Sequence, residues 1–94
     1  MSDPILVLAD GDLAVFYIEG RGECALTVFT EDNKHNLAGA LGAIRQIAPS
    51  ARVRYRPTQG TTPRHIIVNF RGDLAPDIRQ AHAGAFVEAI KLLG

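Results

Sequence analysis

Tryptophan is absent from this chain, cysteine occurs once, and the acidic and basic residues cancel to a formal net charge of zero. Each shortage excludes something. A lone Cys24 cannot close an internal disulfide, and without a Cys-x-x-Cys pair there is no zinc-ribbon or thioredoxin-type motif. A reducing, cytoplasmic compartment is therefore expected. The longest apolar runs, residues 5–9 and 13–18, fall far short of the ~20 residues that span a bilayer. The N-terminus also lacks the basic region and long apolar core of a signal peptide. No membrane association is expected.

What is present describes a small globular domain. An apolar share of 47% with 21% charged residues is ordinary for a folded protein. At 94 residues the whole chain, 1–94, reads as one domain with one core. The zero net charge conceals an asymmetry. Residues 1–33 hold seven acidic side chains against Arg21 alone, a balance of −6, whereas residues 34–94 hold nine basic against three acidic, a balance of +6. Such a chain can neutralise itself within the fold, associate with a copy, or present one half to a charged partner. Near-zero net charge also removes the repulsion that keeps copies apart, so a homodimer is expected.

The pattern along the chain predicts an α+β fold. Asp10-Gly11-Asp12 separates two apolar stretches as a tight hairpin turn does, and Gly20-Arg21-Gly22 marks a second reversal, giving a three-stranded antiparallel meander. In its middle strand, apolar side chains fall on both faces at the two-residue strand period, so each face needs cover. Thr30 is expected to cap a helix with Glu31 and Asp32 in its first turn and a stripe of Leu37, Leu41, Ile44 and Ala48. A second hairpin spans 51–57 and 64–71 around a polar, mobile loop flanked by Pro57 and Pro63. Pro76 opens a last helix whose buried stripe is Ile78, His82, Phe86 and Ile90, flanked by Ala85, Ala89 and Leu93, with Gly94 as its stop. The order is βββ-α-ββ-α, with a mostly antiparallel sheet and both helices on one face. The other face is fairly apolar over the meander, and a dimer through the sheet or its edge is the expected cover.

The sharpest local signal is the row Arg52, Arg54 and Arg56, whose alternation sets three guanidinium groups about 7 Å apart on one side of a strand. His65, Asn69 and Arg71 fall on that side by the same period. The partner-binding set is Arg52, Arg54, Arg56, Gln59, Arg64 and Arg71, on a basic hairpin that reads as an interaction module for a protein, an accessory factor or an inhibitor. The same arginines on phosphates make a nucleic-acid binder the alternative. Two observations weigh against it: the domain is neutral, and no aromatic interleaves the row, because Tyr55 points to the other face. The bland alternative is a solvated face on which the arginines pair with Glu19 and Glu23.

No cluster points to catalysis, a metal or a cofactor. His35, His65 and His82 do not sit at ligand spacing, and Cys24 lies in a strand pattern as a small core residue. Asp10-Gly11-Asp12 offers too few ligands for calcium and reads as a plain turn. Gly20-x-Gly22 precedes a strand, not a helix, so it lacks the context of a phosphate-cradling loop. Arg71-Gly72-Asp73 is read as a strand end and a flexible joint, its match to an adhesion tripeptide being chance. A small dimeric enzyme remains a third reading, with His65 or His82 as base in an interface pocket.

Overall fold

A computed structural model describes residues 3–31 and 34–93. It contains β1 (Ile5–Asp10), β2 (Leu13–Glu19), β3 (Glu23–Thr30), a 3-10 turn at Ala38–Ala40 running into α1 (Leu41–Ile47), β4 (Arg52–Arg56), β5 (Arg64–Arg71) and α2 (Pro76–Leu93). The predicted α+β order holds. All neighbouring strands are antiparallel, and the sheet order is β1-β2-β3-β5-β4. β5 is thus inserted between β3 and β4, and the connection carrying α1 steps over it.

The hairpin turns follow from their glycines. Gly11 and Gly22 have φ of 61° and 68°, a region that costs any residue with a Cβ. β2 then alternates as its sequence requires: Leu13, Val15 and Tyr17 are buried under the helices, while Ala14, Phe16 and Ile18 lie on the opposite face. Leu26, Val28, Ile66 and Val68 join the buried side, against Leu37, Ile44, Phe86 and Ile90 from the helical layer. Burying a Leu, Ile or Phe side chain contributes about 1.5–3 kcal/mol, so this one layer carries most of the stability.

Three local expectations are corrected. Thr30 does not cap a helix. It ends β3, and its hydroxyl donates to Asp12 Oδ2 at 2.6 Å, while His35 Nε2 donates to Asp12 Oδ1 at 3.0 Å. Helical structure starts only at Ala38, although Leu37, Ile44 and Ala48 of the expected stripe are buried; Asp32 lies outside the described residues. In α2 the buried face is Ala83, Phe86, Val87, Ala89 and Ile90, whereas Ile78 and Leu93 are exposed. Arg79 takes the place expected of Ile78, because its guanidinium lies over the Tyr17 ring, 3.9 Å from the centroid. The predicted stop, Gly94, also lies outside the described residues. Finally, the 57–63 loop is tied at its tip, where Gln59 and Thr62 exchange backbone hydrogen bonds of 3.0 and 2.9 Å.

Both sheet edges are obstructed by side chains from the helices. On β4, Arg45 Nη2 reaches the Val53 carbonyl at 3.4 Å. On β1, the register shifts in a bulge between Leu6 and Leu8, and Gln80 Nε2 donates to the Val7 carbonyl there at 2.7 Å. Bulges and capped carbonyls are how sheets avoid pairing with stray strands.

Candidate functional site

The sheet face opposite the helices is the surface left open. Strand register aligns it in three rows. Across the first run Arg56, His65, Phe29, Ala14 and Ala9; across the second run Arg54, Ile67, Thr27, Phe16 and Leu6; across the third run Arg52, Asn69, Ala25 and Ile18. The meander side is apolar and the β4 margin basic. Over the meander lies a depression of about 760 Å³ floored by Phe16, Ile18, Thr27 and Phe29, with Asp12 and Glu31 at one end, and β5 separates it from the arginines of β4.

Of the predicted site residues, the structure brings Arg52, Arg54 and Arg56 together on this face, across β5 from the trough. Arg71 lies on the same face opposite Glu23, at the end away from Arg56. Arg64 does not belong to the row: it pairs with the buried Thr30, and strand alternation sets it on the helix side with Ile66 and Val68. Gln59 sits at the hairpin tip, where a small cleft is bounded by Arg56, Thr62 and His65.

The expected pairing of the row with Glu19 and Glu23 does not form. Glu19 accepts from the Tyr17 hydroxyl at 2.9 Å and faces Arg79 Nη2 at 3.8 Å, on the helix side. Glu23 is opposite Arg71, two strands away from β4. Among the described residues no carboxylate pairs with Arg52, Arg54 or Arg56. Arg54 Nη2 makes only a long contact, 3.4 Å, to Asn69 Oδ1, and its Nε is buried without a hydrogen-bond partner. A buried donor left unmade costs about 1–3 kcal/mol.

No aromatic interleaves the row on β4 itself. Tyr55 does face the helices, opposite the buried Ile66. Phe29, however, packs on His65 with centroids 4.8 Å apart, and Phe16 meets Phe29 edge-on at 5.9 Å. Sequence reasoning missed this because the three rings come from β2, β3 and β5 and meet only through register. His65 Nδ1 donates to the Pro63 carbonyl at 2.9 Å, which leaves Nε2 as the ring's acceptor.

His82 is stacked between Phe70 and Phe86, at 5.2 and 5.6 Å, and borders a cleft with Ile47, Pro49 and Arg71. Both candidate bases thus border clefts, and the contacts of each hold its ring in place. Among the described residues no group of three or more His, Cys, Asp or Glu side chains is placed to hold a metal. Asp12 is more than a turn residue. Its hydrogen bond from Thr30, then that from His35, hold its carboxyl below the ordinary range against the opposing effect of burial.

Cys24 is 2% exposed, and burial pushes its thiol up, away from the reactive thiolate. Modification by an aromatic disulfide reagent at neutral pH is expected to be at least about 100-fold slower in the native protein than in denaturant, because it awaits opening of β3. Equal rates would place Cys24 at the surface.

No protein-family model, curated protein or solved structure matches the chain.

Proposed function

We propose that this chain is a non-catalytic module that binds another protein through the sheet face opposite its helices. The observation that supports the reading best is a single sheet face holding an apolar, aromatic-floored trough and, across β5 from it, arginines without carboxylate partners among the described residues. Apolar ground ringed by polar groups is the usual anatomy of a binding surface, and Arg with aromatics supplies most of the affinity in such contacts. The expected basic hairpin thus becomes one rim of a larger site, with Arg52, Arg54 and Arg56 retained from it.

One observation favours a second reading. The Phe29–His65 ring pair beside Arg56 is the kind of platform on which single-stranded nucleic acid stacks. Against it, Asp12 and Glu31 close one end of the trough and the chain carries no net positive charge.

Site-specific photocrosslinking in expressing cells separates these readings. A photoreactive residue at Ile67, in the middle of the open face, is expected to give a protein adduct of defined mass that Arg54→Glu depletes. The same residue at Glu88, exposed on α2, is expected to give none. Adducts equal from the two positions would defeat the reading. In parallel, nucleic-acid affinity falling with a log–log salt slope of about −0.7 to −0.9 per phosphate neutralised would promote the second one.

A further inference from the structure

We infer that the occupant of the open face is an amphipathic helix of a partner protein, lying along the trough with a carboxylate-rich flank against Arg52, Arg54 and Arg56. The inference rests on the reading of this face as a protein-binding surface and specifies the chemistry of what binds there.

The mode of docking follows from the edges. A strand added to either margin would compete with Arg45 for the Val53 carbonyl or with Gln80 for the Val7 carbonyl, and at β1 it would meet the bulge. Strand addition needs those groups free. A face is covered differently, by a layer of helix, as α1 and α2 cover the other side of this sheet. The open face lacks such a layer, although Leu6 is 55% exposed and the trough floor is aromatic.

Charge then selects the partner. Alternate residues of β4 set the guanidinium groups about 7 Å apart. Residues four apart on a helix rise about 6 Å, so carboxylates repeating at that interval along one flank run in near register with the row. The same helix would lay its apolar stripe on Phe16, Ile18 and Phe29. A second copy matches less well: its open face brings the same arginines, and its Asp12 is already held by Thr30 and His35. A nucleic-acid strand would lay phosphates beside Asp12 and Glu31.

The test uses the full chain and two synthetic 18-residue helical peptides with the same leucine stripe, one flanked by glutamates and one by lysines. The glutamate peptide is expected to bind at least about 10-fold more tightly, with amide shifts centred on Phe16, Phe29 and Ile67. That preference is expected to vanish in Arg52→Gln/Arg54→Gln/Arg56→Gln. Should the triple variant prove unstable, Arg52→Gln/Arg56→Gln, both at exposed positions, must at least halve the preference. Equal binding of the two peptides on this face, displacement of the glutamate peptide by a single-stranded oligonucleotide, or a dimer that masks Phe29 would each overturn the acidic-helix inference while leaving the face as a binding surface. Shifts confined to other surfaces, with Ile67 crosslinks absent, would remove the binding surface itself.

Discussion

Tyr17→Ala is expected to lower the unfolding free energy by about 3–5 kcal/mol, the range found when a buried aromatic is truncated. For a domain whose total stability is about 5–15 kcal/mol, that loss takes a large part of the margin. Tyr17 is fully buried, and its hydroxyl ties β2 to the segment before α2: it donates to Glu19 Oε2 and accepts from the Leu74 backbone N–H at 3.1 Å. Arg79 closes the group, with its guanidinium over the ring and Nε donating to the Leu74 carbonyl at 2.7 Å. Burial holds the phenol above its ordinary range, so it stays a donor through neutral pH. Tyr17→Phe separates the parts. It keeps the ring and its packing but leaves the Leu74 N–H without its acceptor, at an expected cost of about 1–2 kcal/mol. Urea unfolding followed by far-ultraviolet circular dichroism measures both. A phenylalanine variant as stable as the parent would mean that the hydroxyl bridge contributes nothing.

The second large effect is at Asp12, where Asp12→Ala is expected to cost about 1–3 kcal/mol at neutral pH by removing the charged acceptor of the buried Thr30 hydroxyl and of His35. This loss has a definite pH dependence. The folded-state pKa is depressed below the unfolded value of about 3.9, so the carboxylate's contribution is complete above that value and disappears as pH falls through the folded pKa. The stability gap between the parent and Asp12→Asn is therefore expected to be constant from about pH 7 to 5 and to shrink below about pH 4. Denaturation curves of the two proteins across this range provide the check. A gap that stays constant into acid would show that ionisation of Asp12 is not what holds residues 30 and 35 to the first turn.

Most strand positions were legible because each strand is punctuated by its own turn residues and obeys the two-residue period. β2 is the clearest case, with Leu13, Val15 and Tyr17 buried and Ala14, Phe16 and Ile18 opposite. The first helix was not, and the reason is long-range. Thr30 looks like a cap, yet the acceptor that takes its hydroxyl lies 18 residues earlier. The face of α2 was misjudged for a related reason. An arginine at position 79 looks solvent-facing until Tyr17 and Glu19 are placed beneath it. Arg52, Arg54 and Arg56 could be aligned from sequence alone. That their presumed partners Glu19 and Glu23 lie beyond reach, and that Phe29 and His65 lie alongside, depends on β5 being inserted next to β3. Insertion of that kind leaves no local mark in the residues it concerns.

The obstructed margins of the sheet also bear on assembly. Growth along the hydrogen-bonding direction is how sheets build open-ended polymers, each new strand exposing a fresh edge for the next. Arg45 at one margin and Gln80 with the bulge at the other stand in that direction on both sides. Strand-by-strand growth is thereby hindered at Val53 and at Val7, whereas a layer packed on the open face, away from α1 and α2, meets neither obstacle.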